Sequence, residues 1–300
     1  MPVVTRSVLS AYVELTKPRI LTMVLVTTVL GFALGASMLA PFPFYRLFLT
    51  LIGTGLASGG AAVLNHFLER EVDARMARTR NRPLPKGIIP PVSALIFGVI
   101  LLAAGPLVLW WLVNTLSAVL ALLSGLLYVL VYTPMKRYTW LNTPMGAIPG
   151  AIPPMIGWAA ARGQLDVGAW VLFAIMFLWQ HPHFYSIAWM FRDDYRMGGL
   201  KMLPIVQPDG KSTFRQSLAS AILLIPVSLW PTFVRMSGWL YFFGALFCGL
   251  WFLRSCIQWR ISESTDDARK VLRASVIYLP VLLLLIMLDS LLSHLIKVYG

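Results

Sequence analysis

Residues 65–85 read N-H-F-L-E-R-E-V-D-A-R-M-A-R-T-R-N-R-P-L-P, from Asn65 to Pro85. This stretch holds three of the twelve acidic residues and five of the 25 basic ones. It interrupts a chain of 300 residues that is 58% apolar and only 12% charged, with a mean hydropathy of +0.74. Soluble domains carry about a quarter charged residues, so the chain reads as a polytopic membrane protein. A dense island of charge at a membrane surface calls for a chemical reason, and a site for metal and diphosphate supplies one.

Working outward from the island, nine apolar runs are long enough to cross about 30 Å of hydrocarbon, which takes roughly 20 helical residues. They lie at approximately 20–40, 44–64, 92–113, 115–134, 144–162, 167–190, 216–235, 238–257 and 274–296. A membrane barrel is excluded, because its short strands alternate in polarity and these runs are apolar on every face. The expected fold is therefore all-α, one integral-membrane domain over residues 1–300 with nine transmembrane helices. Inner loops at about 65–91 and 191–215 carry the acidic residues. With the N-terminus cytoplasmic, 21 of the 25 basic residues fall in inner segments, leaving Arg46, Arg162, Arg235 and Lys297 outside. By the positive-inside rule this sets the orientation. The net charge of +13 is thus a topology signal rather than a nucleic-acid footprint, which would gather Lys and Arg on one solvated face. Cys248 and Cys256 lie in one apolar run at a spacing that cannot form an intrahelical disulfide. Residues 1–19 have no short apolar region with a cleavage site, so the first span is expected to be retained.

Within the island, Asn65, Glu69 and Asp73 are spaced i, i+4, i+8. On a helix they stack on one face along about 12 Å of axis. Hard oxygen donors in a row suit Mg²⁺, which keeps several waters and shares itself with phosphates. The competing reading is that these carboxylates only pair with the arginines around them. A second acidic cluster, Asp193 and Asp194 at the inner end of the sixth span, favours the metal. Two acidic clusters on one membrane face, with Arg78, Arg82, Lys136 and Arg137 nearby in topology, make a site for a polyanion held through metal. Glu71 faces away from the stripe and reads as a salt-bridge partner. His181 and His183 fall inside the sixth span, where a polar ring usually faces the bundle interior. A bound ligand facing the bundle interior, a water to be activated, or an interhelical hydrogen bond would each account for them. His66 lies beside the acidic face, and His294 has no evident role. The Pro and Gly residues of 144–157 read either as backbone lining a cavity or as close helix packing, with Asn142 and Thr143 at the inner mouth. Trp158, Trp179, Phe184 and Tyr185 line that cavity or simply pack, and Asp289 in the last span has no assigned partner.

These residues resemble the intramembrane prenyltransferases related to 4-hydroxybenzoate polyprenyltransferase, and within them the haem branch, the protohaem IX farnesyltransferases or haem O synthases. The N-x-x-x-D-x-x-x-D motif is matched by Asn65, Glu69 and Asp73, with Glu in the middle. The run D-x-x-M-x-R-T-x-x-R-P is Asp73, Met76, Arg78, Thr79, Arg82 and Pro83, and Y-x-x-x-K is Tyr132 and Lys136. Further matches are Y-T-P-M-K-R at 132–137, N-T at 142–143, the run at 146–158, W-Q-H-P-H-F at 179–184 and D-Y-R-M-G-G-L-K-M-L-P at 194–204. They span about two thirds of the chain, from Lys17 to Pro204. Two positions depart from the superfamily pattern: Glu replaces Asp at 69 and 71, and Gly198 stands where a second Asp often follows Asp194. The latter departure favours the haem branch.

The resemblance implies transfer of farnesyl from farnesyl diphosphate to a vinyl group of haem b, with water adding to give a hydroxyethylfarnesyl substituent. It implies Mg²⁺ held by Asn65, Glu69, Asp73, Asp193 and Asp194. Catalytic roles go to Asn65, Glu69, Asp73, Asp194, Tyr132 and Lys136, and substrate contacts to Arg78, Arg82, Arg137, Asn142, His181 and His183. The expected setting is the cell inner (cytoplasmic) membrane, with the active site on the cytoplasmic side. The lipid bilayer and a downstream haem A synthase or terminal oxidase assembly are the expected partners, and no nucleic acid. Prenylation of an aromatic ring in quinone synthesis is the nearest alternative. A membrane haem transporter or chaperone is the non-enzyme alternative, disfavoured because the acidic motifs gather at one face.

Overall fold

A computed structural model describes residues 7–36 and 41–299, with side chains through Asp289. Arg6, and the side chains of His294 and Lys297, therefore lie outside the described residues. Among the described residues the chain is helical with no strand. In chain order the helices are α1 (Val8–Leu15), α2 (Pro18–Gly35), α3 (Phe44–Arg75), α4 (Pro91–Leu112), α5 (Thr115–Leu126), α6 (Thr133–Tyr138), α7 (Asn142–Ala151) and α8 (Pro153–Arg162). There follow α9 (Val167–Met190), α10 (Arg192–Met197), α11 (Leu203–Val206), α12 (Lys211–Phe233), α13 (Trp239–Ser262) and α14 (Thr265–Tyr299).

Seven of the described helical rods are long and apolar enough to cross a membrane: α2, α3, α4, α5 continued through α6, α12, α13 and α14. Two predicted spans fall outside that set. The run at 144–162 is broken between Ala151 and Pro153 into two ten-residue helices. Its Pro and Gly residues remove backbone donors and side-chain bulk at the break. The run at 167–190 is one helix, but Gln180, His181, Pro182 and His183 dilute its hydropathy.

Helix ends also differ from the apolar windows. α3 continues through Arg75 and α14 begins at Thr265, so the first acidic stripe is helical rather than in a loop. Hydropathy detects only apolar turns, whereas ion pairs such as Arg269–Asp266 at 2.8 Å and Lys270–Asp267 at 2.7 Å keep polar turns wound. Between α5 and α6 the ladder widens into a π-helical turn over Leu127–Tyr132. Such turns interrupt α-helices at functional sites more often than elsewhere.

Backbones approach closely at two seams, as in membrane bundles whose interfaces are made of small residues. A Cβ on Gly31 of α2 would overlap the Pro154 carbonyl of α8, and one on Gly60 of α3 would overlap the backbone at Leu102 of α4. The other half of the bundle closes on aromatic rings. Trp189, Phe214 and Trp259 meet at centroid distances of 4.9–6.2 Å and tie α9 to α12 and α13. Large apolar side chains such as Ile100, Trp111, Phe243 and Phe247 point outward, the pattern of a surface bathed in lipid.

Candidate active site

The three oxygen donors of α3 are buried, and each is held by a cation from a different part of the chain. Asn65 Oδ1 accepts from Lys17 Nζ at 2.6 Å. Glu69 Oε1 accepts from Lys136 Nζ at 2.8 Å, and both Asp73 oxygens accept from one Arg82 nitrogen at 2.8 and 2.7 Å. The i, i+4, i+8 stripe is thus matched by a second row of Lys17, Lys136 and Arg82. As the structure stands, the cations are engaged by the α3 side chains themselves.

Local structure explains how each cation arrives. Lys17 has φ of 52°, a left-handed backbone just before Pro18 opens α2. That strained turn drives its side chain into the bundle. Burial pushes its ammonium down to about 7, reinforced by the charges of Lys136 and Arg82 and opposed by those of Glu69 and Asp73. Lys136 follows the π turn, which sets Tyr128 and Tyr132 side by side with ring centroids 5.3 Å apart. The Lys136 ammonium rests over the Tyr132 ring at 4.4 Å, a favourable cation–π contact. Arg82 comes from the loop after α3, which folds back as the Thr79 hydroxyl donates to the Asp73 carbonyl at 2.9 Å. Asn65 completes its amide by donating to Thr133 Oγ1 at 3.0 Å.

The second acidic cluster is built differently. Asp193 is exposed and pairs with Arg196 at 2.9 Å, three residues along α10. Asp194 is half-buried, and its carboxylate makes no hydrogen bond among the described residues. Arg78 links the clusters: its guanidinium lies over the Phe191 and Tyr195 rings at 5.0 and 5.6 Å and donates to the Tyr195 hydroxyl at 3.3 Å. Gly198, where a second Asp was absent, packs against Met76 and Val72 of the first cluster.

Other predicted residues take supporting positions. Arg137 donates to the Leu68 carbonyl at 2.8 Å and braces α3 from outside. The fully buried Asn142 spends its amide protons on the Thr139 and Lys201 carbonyls, at 2.6 and 3.1 Å. Glu71 is exposed and pairs with Arg70 at 3.2 Å. His66 is buried with its Nδ1 3.8 Å from Asp73, too long for a hydrogen bond. Trp158 is buried against Gly168 and Gly35, so it packs. His181 and His183 lie in α9, away from the charged stripe. Lys17, Tyr128 and Thr133 join the site although the spacing of the acidic motif gave no sign of them. Lys17 opens the stretch that carries the resemblance and Thr133 lies within Y-T-P-M-K-R at 132–137, but neither motif assigns them a partner.

The donor set fits Mg²⁺: it is all oxygen and hard, and it lies along one rigid helix face. Among the described residues no three His, Cys, Asp or Glu side chains come together as a metal site.

Residues 24–277 match the model of the UbiA prenyltransferase family. The chain belongs to that family. It is 50% identical to a protein named protoheme IX farnesyltransferase from Solibacter usitatus, over 93% of this chain and 98% of that one. A protein of the same name from Salinibacter ruber is 44% identical over 93% and 98%. Among solved structures, one described as concerning digeranylgeranylglyceryl phosphate synthase in membranes superposes with a TM-score of 0.80 at 18% identity, covering 94% of this chain and 98% of that one. A UbiA homologue from Archaeoglobus fulgidus, bound to DMAPP and Mg²⁺, gives 0.63 at 12% identity over 93% and 99%. At these identities the superpositions speak for the fold alone, and that fold is of the UbiA type. This UbiA-family prenyltransferase is a multi-pass membrane protein.

Proposed function

We propose that this UbiA-family enzyme is a protoheme IX farnesyltransferase, transferring farnesyl from farnesyl diphosphate to a vinyl group of haem b, with water adding, to give haem O and diphosphate. The observation that carries the chemistry is the paired rows: Asn65, Glu69 and Asp73 against Lys17, Lys136 and Arg82. The identity of 50% over nearly the whole chain to a protein of that name supports the acceptor.

Asn65, Glu69, Asp73 and Asp194 would hold Mg²⁺, with Asp193 at the rim. The chemistry a metal would supply there is Lewis-acid stabilisation of the departing diphosphate. Lys136, Arg82, Lys17 and Arg78 turn from their carboxylate, amide and aromatic partners toward the diphosphate oxygens as it enters. Their positive charge opposes the negative charge that grows on the departing diphosphate, in a setting where charges are weakly screened. Tyr132 holds Lys136 in place through its ring face. Arg137 and Asn142 keep α3 and the 198–202 loop in register, close to the substrate rather than in it. The apolar bundle excludes water from the farnesyl cation until the vinyl carbon attacks.

Nine membrane crossings in one domain over residues 1–300, with the N-terminus and site at the cytoplasmic face of the inner membrane, complete the proposal. Here α7 with α8 forms one broken crossing and α9 a polar one. The product is then passed to a haem A synthase or terminal oxidase assembly. The test is incubation of purified protein with haem b and farnesyl diphosphate, with Mg²⁺ or with chelator, followed by haem mass. A haem gaining farnesyl and water only with Mg²⁺ is expected, and no metal-dependent product overturns the assignment.

A further inference from the structure

Two histidines flank Pro182 in α9, and the charged stripe uses neither. Neighbouring contacts fix where they point. Trp179 Nε1 donates to the Ser275 carbonyl of α14 at 2.8 Å, and Gln180 Nε2 donates to the Ala147 carbonyl of α7 at 3.3 Å. At about 100° per residue, His183 falls between those two directions, and His181 about 160° from it. His183 therefore projects into the gap between α7 and α14. Toward the start of α9 that gap is filled by α2: Thr27, Leu30, Leu172, Met176 and Leu279 line one small apolar cavity there. Met176 is seven residues from His183, roughly 10 Å along the helix. The half-buried His183 lies between this sealed layer and the acidic end of α9. His181, by contrast, is 6% exposed. Its Nδ1 donates to the Phe177 carbonyl at 2.7 Å, but the ring is wedged between those of Phe177 and Tyr185 at 4.8 and 6.1 Å. It lies on the side of α9 turned away from that gap, so direction and surroundings, not tautomer, separate the two histidines.

Hydrogen-bond accounting then fixes the state of the ring. Ser275 Oγ lies 2.7 Å from the Leu272 carbonyl, which can only accept, so the single hydroxyl proton goes there. Ser275 Oγ is also 2.8 Å from His183 Nδ1. With its proton committed, the serine accepts, and Nδ1 carries the hydrogen. Neutral imidazole protonated at Nδ1 has an in-plane lone pair at Nε2, and no described residue bonds that atom. The Trp179 ring, stacked at 5.1 Å and 26°, holds the plane. A histidine with one ring N–H tied back to the protein and the other nitrogen free is how metal-binding histidines are presented.

We infer that His183, held by Ser275 as the Nδ1–H tautomer, gives its Nε2 lone pair to the iron of the haem acceptor, and so positions the porphyrin for transfer. Ser275 is a positioning residue, 92 residues from the histidine it orients. The inference rests on the haem reading, and the experiment separates the two.

Purified protein is loaded with haem b without farnesyl diphosphate, and the iron is examined by electron paramagnetic resonance when ferric and by resonance Raman when ferrous. The wild type shows an iron–histidine stretch. His183→Ala loses it and added imidazole restores it, while the better-filled His183→Met replaces the nitrogen signature with that of a thioether. Ser275→Ala keeps the stretch at lower frequency and weakens haem binding about tenfold. His181→Phe leaves the stretch unchanged. A wild-type signature surviving in His183→Ala, or vanishing in His181→Phe, overturns the assignment, as does a spectrum showing His183 acting only as a base remote from iron. An unshifted stretch in Ser275→Ala overturns the role of Ser275. A wild type that binds no haem overturns the haem reading beneath it.

Discussion

The two acidic clusters share charge and are bridged by Arg78 and Tyr195, yet they are built on opposite plans. On α3, Asn65, Glu69 and Asp73 are 0%, 7% and 1% exposed, and each is already engaged by a cation from outside the helix. On α10, Asp193 pairs only with its neighbour Arg196 in the open, and Asp194 has no partner among the described residues. Buried charge without a partner is costly, so the α3 stripe cannot wait empty. A carboxylate in contact with water, fully as at Asp193 or partly as at Asp194, carries less of that cost. The α3 half is thus charge-balanced as it stands, and on the proposed mechanism the α10 half is the one that substrate and metal would complete.

That comparison is broken most strongly by Asp73→Asn. It removes one charged oxygen donor and half of the Arg82 pair, and kcat/KM is expected to fall about 10²–10³-fold, read by haem mass at matched protein levels. Asp194→Asn follows, with a loss near 10² and an unchanged melting temperature, since no native bond is broken. A melting shift as large as that of Asp73→Asn would mean the two clusters are alike. Lys136→Met strands Glu69 in the bundle, and breaking a buried pair from one side costs about 3–5 kcal/mol. Thermal unfolding in detergent should drop clearly, together with a raised KM for farnesyl diphosphate. Asp193→Asn is the smallest change: an exposed i, i+3 pair contributes at most about 0.5 kcal/mol, and turnover should stay near wild type.

Much of this was legible because membrane helices advertise themselves. The apolar runs mark the helical rods, and the i, i+4, i+8 spacing of Asn65, Glu69 and Asp73 is enough to put them on one helix face. What stayed hidden depends on contacts across long stretches of sequence or on departures from ideal helix. The π turn over Leu127–Tyr132 leaves no mark on hydropathy, yet it sets Tyr128, Tyr132 and Lys136 against α3. Lys17 looked like a topology signal, and its bond to Asn65 spans 48 residues. The amphipathic helix α1 is too short and too mixed to register as a span. Asp289, unexplained in sequence, accepts from the Gly238 backbone N–H where α13 begins, and a carboxylate at a helix N-terminus is favoured by the helix dipole. The resemblance makes Asn142 and Arg137 substrate contacts through their place in motifs. The structure puts their donors on backbone carbonyls, a use that motif position alone does not distinguish.

The central claim is that Lys136 and Arg82 hold the α3 carboxylates only until metal and diphosphate arrive. The most direct measurement is a structure of the protein with Mg²⁺ and a non-ionising farnesyl diphosphate analogue. The account predicts that Lys136 Nζ leaves Glu69, from its resting 2.8 Å, to bind a phosphate oxygen while Glu69 and Asp73 turn to the metal. A bound complex in which both resting ion pairs persist and the metal sits elsewhere would contradict it.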